Sequence, residues 1–465
     1  MTAPGSPEPV PALPAASAAS PAHSAPAAPR ARRRRPTLLV AGDGGASGAV
    51  LLELLSTRPD VWGEIRLASA APADSAAPAD PAAPAGEAAP VTRMVRGQEV
   101  EVRPLDADCF EDADVALLDL PTALSARWAP VAVARGCAVV DASAAFRSDP
   151  EVPIVVPEVN AAAVRRRPRG VVAGPASATV PPALVLGALH AEFGLTGLVV
   201  ASYQAASEAG EDGMRELRAQ ISAVAVAQSA GRRPGTHPGD IRRAVGDAAD
   251  PGADGEAAEG TSAFPAPLAL NVVPWTGDPD AGGAPVPEED AASEVDAGSE
   301  EDAGSEVASG DAVGEASDDA EAGADAYSAD ERALRAELRR VLGLPALEVA
   351  ATCVRVPVVT TNSYVLHAVF ENPVDVARAH DILGTAPGVV VCDDPAAGEF
   401  PTPADAVGTD PVWVGRVRRA PDDPNALDLF LCGDNLRKGR ALNTLQIAEL
   451  IAAERLERME PAERA

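Results

Sequence analysis

The stretch TLLVAGDGGASGAVLLELLSTRP, beginning at Thr37, constrains the fold more than any other. Its short apolar run reads as a strand, the glycine-rich piece as a tight turn, and the apolar pattern after it as a helix. Gly42, Gly45 and Gly48 punctuate the turn as GxxGxxG. Glycines in that setting let backbone amides approach a pyrophosphate at a helix N-terminus, so these three are candidate cofactor-binding residues. EIRLASA, GQEVEVRPL, DVALLDL and CAVVDAS read as further strands, with a helix around Trp128 to Arg135 between the last two. Strands alternating with helices argue for a parallel α/β sheet.

From Gly170 the pattern continues with VVAG, a helix at PPALVLGALHAEFG and the strand GLVVASYQ. The polar stretch from about Arg232 to Gly260 reads as a long loop. Beyond it lie a helix (ADERALRAELRRVLG), strands at CVRVPVV, SYVLHAVF and VWVGRVRR, and an amphipathic helix from Ala441 to about Glu457. Three segments do not fit this alternation. Residues 1–36 form an Ala/Pro/Ser arm ending in an Arg cluster, and residues 71–90 form a Pro/Ala insertion. Residues 277–326 hold 17 acidic side chains and no basic one. Dense like charge with little apolar surface cannot repay the entropy of ordering, so this segment is expected to be disordered and to act in solvation.

The whole chain has 465 residues and a formal net charge of -31. The acidic segment accounts for 17 of those negative charges, which leaves -14 for the other 415 residues. Such a balance argues against binding nucleic acid or an anionic membrane surface. No run approaches the roughly 18 apolar residues of a membrane span. The N-terminal arm reverses the order of charge and apolar core found in a secretory signal, so a cytoplasmic location is expected. Cys109, Cys137, Cys353, Cys392 and Cys432 are scattered without CxxC spacing, which points to reduced thiols and to neither a disulfide framework nor a metal site.

Longer strings carry a sharper signal. DASAAFRSDPEVPIVVPEVN, ASYQAASEAGEDGM, ATCVRVPVVTTNS, FPTPADAVGTDPVWVGRVRR and DNLRKGRALNTLQIAEL occur in this order. With the glycine turn, they resemble the aspartate-semialdehyde dehydrogenase family over most of the chain outside the three interruptions. The resemblance implies an α/β fold: an N-terminal Rossmann-type parallel sheet, a central α/β dimerisation and catalytic domain, and a C-terminal helix packing back on the first domain. On this sequence the parts would span residues 37–160, 161–432 and 433–465. It further implies reduction of aspartyl-β-phosphate to the semialdehyde with NADPH, through a cysteine thioester, a histidine acid/base, and Arg and Gln groups that hold substrate.

Carried over residue by residue, the resemblance meets departures. AGPASAT places Ser177 where the family string has its cysteine, and RVPVVTTNS places Asn362 where it has histidine. A serine hydroxyl is far less acidic than a thiol and needs an adjacent base. Asn cannot exchange a proton near neutral pH. Cys353, His367 and His190 read as structural, and none is expected to replace the lost groups. Gln204 matches the family glutamine, Arg147 and Arg355 match substrate-holding arginines, and Asn435 in DNLRKG falls at a cofactor position. The family's EExK string is DERA here (Asp330 to Ala333), and Lys438 is the only lysine in the chain. Ala71 replaces an arginine for the adenosine 2′-phosphate, and the Asp119–Ala123 loop puts a carboxylate and the N–H-less Pro121 in the groove. Both argue against retention of the NADP that the resemblance implies.

Two expectations follow. The first is an inactive or strongly impaired homologue with a regulatory or scaffolding role, as a homodimer or as a heterodimer with an active paralogue. The second is a working NADP-dependent oxidoreductase of lysine, threonine and methionine biosynthesis.

Overall fold

In the computed structural model, residues 35–42, 44–58, 61–70, 91–237, 239–249, 262–277 and 326–459 are described. The N-terminal arm up to residue 34, the Pro/Ala insertion with Ala71, and the acidic segment from 278 to 325 lie outside them.

Two sheets organise the molecule. The first uses β1 (Leu38–Ala41), β2 (Ile65–Ser69), β3 (Thr92–Val95), β4 (Gln98–Pro104), β5 (Val115–Leu118), β6 (Ala138–Asp141) and β7 (Val171–Ala173) in the order β3-β4-β2-β1-β5-β6-β7. All pairs are parallel except β3 with β4. LLVA, VALL and AVVD are buried along their whole length, as strands covered on both faces must be. GQEVEVRPL proves to be the second arm of a hairpin, whose Arg96-Gly97 turn has positive φ at both residues, the geometry that matches strand twist. The second sheet joins β8 (Leu195–Gln204), β9 (Glu348–Arg355), β10 (Asn362–Phe370), β11 (Val389–Val391), β12 (Val412–Arg419) and β13 (Ala426–Gly433) in the order β11-β12-β13-β10-β8-β9.

The described α-helices are α1 (Gly45–Ser56), α2 (Thr122–Ala134), α3 (Pro157–Asn160), α4 (Val180–Phe193), α5 (Gly210–Ser229), α6 (Asp240–Ala249), α7 (Ala329–Leu342), α8 (Val376–Thr385), α9 (Pro403–Ala406) and α10 (Leu442–Met459). The expected loop from Arg232 to Gly260 is corrected by α6, a short amphipathic helix with Asp240 in its first turn and an Arg232–Asp247 ion pair. Its brevity hid it in a polar stretch. Helix α7 begins with a capping box between Ser328 and Glu331 and ends at Gly343 in the left-handed region.

The C-terminal helix returns to the first domain. Leu445, Ile447, Ala448, Ile451 and Ala452 of α10 are buried with Leu38, Val40, Leu51, Leu55 and Val140. Each such Leu or Ile contributes about 1.5–3 kcal/mol on full burial. Helices α4, α7 and α8 pack along the second sheet and merge its core with that of the first through α2 and β6. Among the described residues, no helix is long and apolar enough to cross a membrane.

Candidate functional site

The ends of β8, β9 and β10 bring the candidate residues together. Parallel register sets Gln204 opposite Arg355, and antiparallel register sets Ser363 opposite Tyr203, so Asn362 starts its strand beside Gln204. Ser177 comes from the turn between β7 and α4.

Ser177 Oγ lies 2.6 Å from both carboxylate oxygens of Glu208, which sits in the 3-10 turn Ala206–Ala209 directly after β8. Asn362 is fully buried. Its Oδ1 accepts from the Ala205 N–H at 2.9 Å, so its Nδ2 faces Glu208 Oε1 and donates at 2.7 Å. Glu208 thus receives donors from both positions that the resemblance singled out. Sequence reasoning missed it, although an acidic residue among the small residues that follow Gln204 was a usable signal. Gln204 donates weakly to Ser202 Oγ at 3.5 Å and leaves its buried Oε1 without a protein partner.

Arg355 donates to the Ala205 carbonyl at 2.9 Å. Burial pushes its guanidinium pKa down, while the charges of Glu208 and Asp330 oppose that shift. Burial, then the nearby Glu208 charge, push the Asp330 carboxyl up. Arg147 turns inward: Nε reaches the Gly174 carbonyl at 3.0 Å, Nη2 the Ala142 carbonyl at 2.9 Å, and Nη1 faces Glu337 at 3.8 Å. Glu337 accepts from the Ala176 N–H and the Thr179 hydroxyl, both at 2.7 Å. Arg147 and Glu337 together hold the turn that carries Ser177.

Asn435 exchanges hydrogen bonds with Ser207 and accepts from the Thr361 N–H at 2.9 Å, so it braces the neighbours of Glu208 and Asn362. Lys438 is buried, with Nζ 2.8 Å from both oxygens of Glu158 and 2.7 Å from Gln446 Oε1. The structure places the only lysine in the docking of the C-terminal segment.

The histidines among the described residues are engaged elsewhere. His190 accepts from the Leu195 N–H, His237 meets Asp240, His367 pairs with Asp428, and His380 pairs with Asp393. All five cysteines are free. Burial pushes the Cys137 and Cys432 thiols up to about 11 and Cys353 up to about 12, which makes them poor nucleophiles at neutral pH. Among the described residues, no group of three His, Cys, Asp or Glu is placed to hold a metal.

The glycine turn divides in two. Gly45 opens α1 at positive φ with free space around it, and the helix start has neither a side-chain cap nor an acid in its first turn. That end fits a pyrophosphate, and Gly48 is buried in the first turns of α1. Gly42 instead faces the loop after β5: a Cβ there would lie 2.1 Å from the Asp119 carbonyl oxygen. Asp119 accepts from Arg440 Nε at 2.8 Å and Nη2 at 2.6 Å, and Pro121 leads into α2 without an N–H. At this end protein groups contact one another, whereas the start of α1 is open.

Comparison with known proteins agrees with this architecture. Residues 37–167 match the family model described as semialdehyde dehydrogenase, NAD binding domain. Residues 186–296 and 315–438 match semialdehyde dehydrogenase, dimerisation domain. The chain is 36% identical over 360 residues to the aspartate-semialdehyde dehydrogenase of Streptomyces akiyoshiensis, covering 75% of this chain and 87% of that one. It is 35% identical over 363 residues to that of Corynebacterium glutamicum, covering 77% and 86%. The crystal structure of aspartate semialdehyde dehydrogenase II from Vibrio cholerae matches with a TM-score of 0.66 at 25% identity, over 90% of this chain and 99% of that one. The chain belongs to the aspartate-semialdehyde dehydrogenase family.

Proposed function

We propose that this chain keeps the family's scaffold without its thioester chemistry and acts as a regulatory or scaffolding homologue. One observation carries the reading: Ser177 and Asn362 both donate to Glu208, so a carboxylate holds the point where an acyl group would form. A serine beside a carboxylate remains a weak nucleophile, because the base is far less basic than the alkoxide it would have to generate. An anionic acyl phosphate arriving there also meets a like charge. At about 4 Å and an effective dielectric near 20, that repulsion is on the order of 4 kcal/mol. Losses of groups that act together are not made good one at a time. The match to a dimerisation domain supports an oligomer, formed with a second copy or with an active paralogue.

The second reading, NADP-dependent reduction of aspartyl-β-phosphate in amino-acid biosynthesis, has the comparisons on its side. Relatives bearing the enzyme's name are 35–36% identical over three quarters of this chain. Whole-chain similarity reports scaffold and descent, whereas chemistry lives in a few side chains. The two readings separate in a phosphate-dependent assay of NADP reduction with aspartate semialdehyde. The scaffold reading expects no turnover above background, and the enzyme reading expects about 1–1000 per second.

A further inference from the structure

The carboxyl ends of β1 and β5 mark where the first sheet reverses its order, since β2 flanks β1 on one side and β5 flanks it on the other. In open parallel sheets a ligand seats in the crevice at such a point. Gly42 follows β1 and Asp119 follows β5, and the Asp119 N–H donates to the Ala41 carbonyl at 2.9 Å. Over this crevice stands Arg440, bonded through two nitrogens to Asp119 Oδ1. The Asp119 side chain is only 7% exposed, while that of Arg440 is 36% exposed.

Arg440 is not free to swing. It belongs to the π-helical turn Arg437–Ala441. In that turn Arg437 is held by Glu53 and Asp410, and Lys438 by Glu158 and Gln446. Gly439 packs on Ser177: a Cβ there would lie 3.1 Å from Ser177 Cβ. The turn that holds the guanidinium at the crevice thus also packs on residue 177. A hydride donor must come within about 3–3.5 Å of a carbonyl carbon held on that residue. A dinucleotide seated in the crevice at Asp119 would meet the guanidinium there, and displacing it would leave the buried Asp119 carboxylate unpaired.

We propose that the Arg440–Asp119 pair is a fixed strut that bars the nicotinamide end of a dinucleotide from the crevice, and so determines that this chain does not bind NADPH productively. The inference is independent of the chemistry at Ser177, so its failure would leave the scaffold reading standing.

The test is NADPH fluorescence titration of the full chain, with thermal unfolding as the check on folding. Wild type is expected to show no saturable binding up to about 1 mM. D119S/R440A, which removes both charges, is expected to bind at least about tenfold more tightly. D119N keeps the side-chain shape and weakens the strut alone. It serves as the test if the double variant does not fold, with tighter binding again expected. Micromolar binding by wild type would overturn the proposal whatever the variants do. So would a folded variant that likewise shows no saturable binding up to about 1 mM.

Discussion

The C-terminal docking seam and the Ser177 site are neighbours that match the family-like strings unequally. In the seam the family-like string DNLRKG is intact from Asp434 to Gly439. Three of its polar side chains turn inward: Asp434 receives the Gly408, Leu436 and Arg437 N–H groups, Asn435 braces Ser207 and Thr361, and Lys438 pairs with Glu158. In the pocket the matching strings carry Ser177 and Asn362, and both lead to Glu208. Retention of a string therefore shows what the scaffold needs. Lys438 persists because a buried amine closes the seam, and its presence says nothing of turnover.

The largest effect that would break this contrast lies in the seam. Lys438→Ala strands Glu158 in a buried setting and should cost about 3–5 kcal/mol, read by denaturant unfolding. A loss below about 1 kcal/mol, typical of exposed pairs, would show that the seam is not held by this ion pair.

The pocket should respond less. Asn362→Ala orphans the buried Ala205 N–H and removes one donor from Glu208, at a cost of about 1–3 kcal/mol. Equal or greater loss than Lys438→Ala would mean that the pocket, not the seam, bears the fold.

The smallest effect is a pH slope. Asp330 has its folded pKa raised by burial and by Glu208. Its stabilising contribution is therefore complete below the ordinary aspartate range and fades as pH climbs through the raised folded value. Asp330→Asn should flatten that decline in an unfolding series from acid to neutral pH. An unchanged slope would show that the carboxyl is not set against Glu208 as described.

Much of the scaffold was legible because local chemistry announces it. The GDGGASG turn, the LLVA, VALL and AVVD runs and the α10 stripe each follow from periodicity and burial. Strand β13 and helix α5 go beyond what the sequence patterns announce, and α6, short and polar, has the look of a loop until its packing is seen. Ser177 and Asn362 could be placed by neighbouring strings. Their meeting at Glu208 could not, because it depends on the register of β8 against β10 and on the turn before α4. The Arg440–Asp119 strut is harder still: its partners are far apart in sequence, and no local pattern tells which charges will pair.

On the scaffold reading, residue 177 does not accept an acyl group. The most direct measurement is intact-protein mass after incubation with aspartate semialdehyde and NADP in phosphate-free buffer, where an acylated protein would persist for lack of an acceptor. An unmodified mass and no burst of NADPH are expected. A stoichiometric burst, with an acyl adduct mapped to Ser177, would contradict it.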